Sequence, residues 1–166
     1  MTARIETLSD VNAVAARARD LVLRALDAAR GHGRAPSLCL SGGSTPERLY
    51  RLFATTTTAV TWKDVHLFYG DERAVPPSHP DSNHGMVERA WLSTGMVPAF
   101  NIHRMRGEAT DLDAEARRLS RELDDVLGAD RGVDVMLLGM GEDAHTASLF
   151  PGTSVLDARG RVAALH

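Results

Sequence analysis

Between Asp10 and Arg30, Val11, Val14, Ala15, Ala18, Leu21, Val22, Ala25, Leu26 and Ala29 recur at helical spacing with arginines among them, and Gly31 ends the pattern. The pattern predicts an amphipathic helix packed on a sheet. Short apolar runs follow at 37–41 (SLCLS), 65–69 (VHLFY) and 133–139 (VDVMLLG), each stopping at glycine and polar residues. The third run reads as a strand buried on both faces of a parallel sheet. Helix-like segments are predicted at 46–53, about 84–93 and about 111–127, with a short strand near Asn101–His103. This alternation implies an α/β sandwich with a mostly parallel sheet and right-handed crossovers. No repeat or linker divides residues 1–166, so a single domain is expected.

Chemistry in such sheets gathers beyond the carboxyl ends of the strands. After the first run come Gly42, Gly43, Ser44, Thr45 and Pro46. Thr45 suits an N-cap and Pro46 the first helical turn, so the N–H groups of Gly42–Thr45 are expected to converge on an anion, phosphate first. Ser44 and Thr45 then act as hydroxyl donors to phosphate or sugar. The bland alternative is a tight βα turn. After the second run stand Gly70, Asp71, Glu72 and Arg73. Arg73 has the planar fork that suits phosphate or carboxylate, and Asp71 can hold a sugar hydroxyl. The alternative is an exposed, salt-bridged turn.

After the third run, Gly139 and Gly141 permit a sharp turn that carries Glu142, Asp143 and His145, and Thr146, Ala147 and Ser148 read as a helix start. An imidazole, with an ordinary pKa of ~6.5, can take a proton near neutral pH, which makes His145 a candidate general base. Asp143 or Glu142 can orient it and stabilise its charged form. Ser82 and Asn83 read as an N-cap pair for the following helix, with substrate contact as the alternative. Pro76–Pro80 (PPSHP) reads as a loop able to cover the site.

The order SGGSTP, GDER, DSN at 81–83 and GMGEDAHTASLFP resembles the 6-phosphogluconolactonase family, within the superfamily that also contains glucosamine-6-phosphate deaminases. The resemblance implies a Rossmann-like three-layer sandwich and hydrolysis of 6-phosphoglucono-1,5-lactone to 6-phosphogluconate in the pentose phosphate pathway. It makes His145 and Asp143 the catalytic pair, with Gly42, Gly43, Ser44, Thr45, Asp71 and Arg73 holding the sugar phosphate. Water is the nucleophile, so no cofactor and no metal are expected. His66, His84 and His103 show no metal-ligand spacing. The family pattern has glycine where Ala144 stands. If that position takes a positive φ, alanine costs about 1 kcal/mol.

Family members generally continue further, through a proline-rich turn and basic residues. Arg161–Leu165 (RVAAL) reads as the start of another strand, so the chain is expected to lack a C-terminal part of the domain. Two other functions are weighed. The amino-sugar-phosphate deaminases carry Asn, Glu and Pro after the histidine, whereas Ser148, Leu149, Phe150 and Pro151 stand here, and an apolar pair relays no proton. A non-catalytic sugar-phosphate-binding domain is the other alternative. Gly139, Gly141 and Ala144 also imitate a dinucleotide fingerprint, but the motif falls late in the chain and lacks the ribose-binding acid.

Composition narrows the partners. The 166 residues are 43% hydrophobic with a formal net charge of −3, which fits a folded domain and gives no electrostatic reason to expect nucleic acid or membrane as a partner. Lys63 is the only lysine, so a phosphate clamp must use arginine or backbone N–H groups. Cys39, the single cysteine, lies within an apolar strand and fits a reducing compartment. No stretch resembles a signal peptide or a membrane span. A cytoplasmic protein is expected, monomeric or a small homo-oligomer.

Overall fold

The structure is a computed structural model that describes residues 3–55 and 62–164. Helix α1 (Val11–Gly31) begins where the Asp10 carboxylate accepts the N–H groups of Asn12 and Ala13, both at 2.9 Å. It buries Ala15, Val22, Leu26 and Ala29, while Val11, Val14 and Leu21 from the same apolar series remain exposed. Strand β1 (Ser37–Leu40) is fully buried, and helix α2 (Ser44–Thr55) follows it. Helix α2 starts two residues before the predicted position, so Thr45 lies inside it rather than capping it. The Gly43 carbonyl accepts the Glu47 N–H at 3.1 Å, and Pro46 still falls in the first turn, where its missing N–H costs nothing.

Strand β2 (His66–Tyr69), helix α3 (Asn83–Ala90), helix α4 (Leu112–Leu127) and strand β3 (Val135–Met136) complete the regular elements. The sheet is parallel, in the order β2-β1-β3, with Leu40 opposite Tyr69 and Cys39 opposite Met136. The expected strand near 101–103 is reduced to a single parallel bridge between Ile102 and Leu67, because Ala99–Asn101 forms a 3₁₀ turn.

Side-chain alternation along the strands divides the interior in two. Leu38, Leu40, Leu67 and Tyr69 point toward α1, α2 and α3, where Tyr50, Phe53, Trp62 and Trp91 gather. Trp62 meets Trp91 edge-on at 4.6 Å between centroids, and Phe53 lies 4.9 and 5.0 Å from them. Such pairs contribute about 0.5–1.5 kcal/mol each beyond the area they bury. On the opposite face Cys39 and Phe68 pack on Leu127 of α4. Burial pushes the Cys39 thiol up to about 12, which leaves it a core residue without thiolate chemistry. These layers make the α/β sandwich that the alternation predicts, with the three layers that the resemblance implies.

The run at 133–139 departs from expectation. Only Val135 and Met136 pair as a strand, and Met136, Leu138 and Met140 are exposed at 49, 56 and 84%. The strand lies at the edge of the described sheet. Helix α4 covers Cys39 and Phe68 but leaves the adjoining side chains of β3 open, so burial reaches one face only. The charged residue in this run has a structural role. The Asp134 carboxylate accepts from the Ser37 N–H and hydroxyl, both at 2.9 Å, and from Arg34 at 2.7 Å, clamping the start of β3 to that of β1. Burial raises the Asp134 carboxyl, but these donors outweigh it and hold the group below its ordinary value.

Residues 160–162 form a bend and 163–164 no regular structure, rather than the start of a strand, and Leu165 lies outside the described residues. Arg161 is drawn instead to the end of α4, pairing with Asp124 at 2.9 Å and donating to the Gly128 carbonyl at 2.7 Å. No helix among the described residues is long and apolar enough to cross a membrane.

Candidate active site

The three loops beyond the strands lie side by side and are joined by specific contacts. Between the first and second, Asn83 acts as a spacer. Its side chain occupies the space a Cβ on Gly42 would take, 2.1 Å from Asn83 Oδ1, while its Nδ2 donates to the Asp71 carbonyl at 3.0 Å. Between the second and third, the Ser148 hydroxyl donates to Asp71 Oδ2 at 3.0 Å. A Cβ on Gly139 would lie 3.8 Å from Ser41 Oγ, which brings the third loop up to the end of β1.

In the first loop, Gly43 has φ +104°, a conformation suited to glycine, and turns the chain into α2. Gly43, Ser44 and Thr45 are exposed there. The first N–H groups of a helix have no intrahelical acceptor, so this turn presents donors to an anion.

In the second loop the two acids have separate roles. The Glu72 carboxylate accepts from the N–H groups of Asn83 at 2.7 Å and His84 at 2.8 Å and from the Ser82 hydroxyl at 3.1 Å. Glu72 therefore caps α3, beside Ser82, whose hydroxyl accepts the Gly85 N–H at 3.0 Å. Asp71 keeps its carboxylate on the side of the third loop. Arg73 is exposed and donates from Nη1 to the Asp81 carbonyl at 2.6 Å. The 76–80 segment is not an open cover. It forms turns seated on α3, and a Cβ on Gly85 would lie only 2.2 Å from the Pro77 carbonyl oxygen.

In the third loop, His145 Nδ1 is hydrogen-bonded to Asp143 Oδ1, and its ring leans on Phe150 with centroids 4.4 Å apart. Asp143, not Glu142, thus orients the imidazole, and this bond holds the Asp143 carboxyl below its ordinary value. The ring passes so close to the chain that a Cβ on Gly141 would lie 2.2 Å from His145 Cε1. The loop folds back on itself through Gly141 N–H to the His145 carbonyl at 2.8 Å and the Thr146 hydroxyl to the Gly139 carbonyl at 2.9 Å. The helix expected after His145 does not form, because Ala147 takes φ +51° and the chain turns at Thr146–Leu149 instead. Ala144 has φ +65°, the positive value that the glycine of the family pattern anticipates.

Every sequence-predicted site residue therefore lies on one of three adjoining loops or, for Ser44 and Thr45, in the first turn of α2. Asn83 and Ser148 tie those loops together in ways the sequence reading did not identify. Ser148 and Asn83 lie within the motifs themselves, and the pairing of GDER with DSN ten residues later was the available signal for the Glu72 cap.

Residues 9–166 match the family model described as glucosamine-6-phosphate isomerases/6-phosphogluconolactonase. A Nostoc sp. protein named 6-phosphogluconolactonase is 42% identical, over 98% of this chain and 68% of its own length. One of the same name from Haemophilus influenzae is 45% identical, over 72% of this chain and 52% of its own length. The crystal structure of 6-phosphogluconolactonase from Leishmania guyanensis superposes with a TM-score of 0.82 at 28% identity, covering 96% of this chain and 68% of that one. The chain thus spans about half to two thirds of the length of these relatives. On a match that takes in all three loops, the chain belongs to the glucosamine-6-phosphate isomerase/6-phosphogluconolactonase family.

Proposed function

We propose that this chain carries the catalytic loops of a 6-phosphogluconolactonase, as a single sugar-phosphate domain that hydrolyses 6-phosphoglucono-1,5-lactone to 6-phosphogluconate without a cofactor. The observation that carries this reading is the Asp143–His145 pair on a loop tied through Ser148 to Asp71 and lying beside the Gly42–Thr45 turn. The names of the relatives support the substrate.

With Nδ1 engaged by Asp143, the imidazole keeps its proton on that nitrogen and offers the Nε2 lone pair to a water molecule. Nε2 takes a proton as the water oxygen attacks the lactone carbonyl, and Asp143 stabilises the resulting imidazolium. The tetrahedral alkoxide then collapses and breaks the bond to the ring oxygen. That oxygen leaves as a hydroxyl after taking the proton back from Nε2. The N–H groups of Gly42, Gly43, Ser44 and Thr45 and the hydroxyls of Ser44 and Thr45 hold the substrate phosphate at the positive end of α2. Arg73 adds charge to the same anion, and Asp71 takes a sugar hydroxyl. The reaction belongs to the pentose phosphate pathway, in a cytoplasmic enzyme that is monomeric or a small homo-oligomer and has no nucleic acid or membrane partner.

Hydrolysis of 6-phosphogluconolactone above its spontaneous rate tests the reading. Wild-type chain should accelerate it, and His145→Ala should lower kcat by about 10²–10⁴-fold, the usual contribution of a general base. Equal activity in the two proteins removes His145 from the reaction.

A further inference from the structure

Tyr50 of α2 is fully buried, and its hydroxyl is spent on main chain rather than on another side chain. It donates to the Ser41 carbonyl at 2.7 Å and accepts the Ser41 N–H at 2.9 Å. Ser41 is the first residue beyond β1. In a strand, alternate residues direct their N–H and C=O to opposite neighbours. Accordingly the Leu40 carbonyl accepts from Gly70 on the β2 side, at 2.8 Å, and the Cys39 carbonyl accepts from Leu137 on the β3 side, at 2.9 Å. Ser41 faces the β3 side again, and there both its groups meet the Tyr50 hydroxyl instead of a strand.

We propose that Tyr50 is a positioning residue for the phosphate turn: its hydroxyl replaces the next rung toward β3 and fixes the Ser41 peptide from which Gly42–Thr45 departs. The Ser41 N–H and carbonyl belong to successive peptide planes, so the two bonds fix the chain on both sides of one Cα, two residues before Gly43 takes φ +104°. The phenol is itself held in place. Its ring stacks on Trp91 at 6.4 Å and lies 6.3 Å from Phe53. Burial raises its pKa, so the hydroxyl both donates and accepts at neutral pH. The turn is thus preformed before any anion arrives, which lowers the ordering cost of binding. This role rests on the phosphate reading given above.

Tyr50→Phe keeps the ring and removes both bonds. Its expected signature is faster amide exchange at Ser41 with α1 and β2 unchanged, and affinity for 6-phosphogluconate lower by about tenfold. Affinity for gluconate, which lacks the phosphate, stays as in wild type. In turnover of the lactone, KM rises by the same factor while kcat changes little. Unchanged exchange, or faster exchange with unchanged affinity, overturns the proposal. A wild-type protein that binds 6-phosphogluconate no better than gluconate overturns the phosphate reading and this role with it, and that failure shows before any substitution is made. Wild-type exchange supplies a reading that no variant can confound: without ligand, the Ser41 amide should be protected as strongly as that of Leu40, and exchange at the rate of an exposed turn refutes the assignment.

Discussion

The loop that follows β1 and the loop that carries His145 are built differently. The first rests on buried groups: Tyr50 holds Ser41, Asn83 fills the space against Gly42, and both side chains are at most 3% exposed. The second is held by short-range bonds within residues 139–151, by one hydroxyl to Asp71 and by a ring contact with Phe150, a residue 37% exposed. It also contains two alanines at positive φ. On the proposed reading, such a division would put substrate binding on a scaffold stabilised by the core and the base on a segment that local contacts determine. Damage to the first loop should therefore appear in stability and affinity, and damage to the second in kcat.

The largest expected effect on the scaffold side comes from Glu72. Glu72→Ala removes the acceptor that caps α3 and leaves the N–H groups of Asn83 and His84 without it, at a cost of about 2–3 kcal/mol. Urea unfolding should show the loss as a lower midpoint with an unchanged slope. If stability holds, the contrast between a braced and a local loop weakens.

Acid should act next, and on the same side. Burial lowers the pKa of both His66 and His84 below the ordinary 6.5, and His84 accepts or donates at 2.8 Å to Tyr69 at the end of β2. The charges acting on His66 are His103, which opposes its protonation, and Asp64, which favours it. For His84 they are Arg104, which opposes protonation, and Glu72, Glu88 and Glu108, which favour it. Below about pH 6.5 the unfolded chain binds more protons at these two residues than the folded one, so stability falls as pH drops and levels off below the folded values. The unfolding midpoint should be lower at pH 5.5 than at pH 7.5, by less than the Glu72→Ala loss. The carboxyls that ion pairs hold below their ordinary range act only at more acid pH.

A smaller change sharpens the other side of the comparison. Ala144→Gly relieves an αL conformation worth about 1–2 kcal/mol, against about 0.4–1 kcal/mol of added freedom in the unfolded chain. The net gain should be about 0.5–1 kcal/mol, read as a small rise in Tm. A loss instead would mean that Ala144 is not at positive φ in solution.

Much of this was legible in the sequence, for physical reasons that can be named. Helices announce themselves by period, so α1 and α4 emerge within a residue of their predicted bounds, with Asp10 and Asp111 as their caps. Strand ends announce themselves by glycine, and Gly42, Gly70 and Gly139 lie in the three loops that follow β1, β2 and β3. Composition alone did not reveal how far the 133–139 run is buried, because a continuous apolar run reads alike in a covered strand and in one open on a face. The missing helix after His145 escaped for a similar reason: alanine is the best helix former, and only the turn at Thr146–Leu149 forces Ala147 to positive φ. Asn83 as a spacer and Tyr50 as a brace were illegible because each acts on residues 9 to 41 positions away, where periodicity carries no signal, and for Glu72 as a cap the spacing of GDER and DSN was the one available sign.

The most direct test of the division sets two glycines against each other. In Gly141→Ala the new methyl group meets the His145 ring at 2.2 Å, and in Gly42→Ala it meets Asn83 Oδ1 at 2.1 Å. Steady-state kinetics on 6-phosphogluconolactone should show Gly141→Ala lowering kcat by about 10²-fold with KM nearly unchanged, since misplacing a base costs about that much. Gly42→Ala should raise KM and lower the unfolding midpoint while sparing kcat. The same parameter moving in both variants would contradict the separation of a core-braced binding turn from a locally held base.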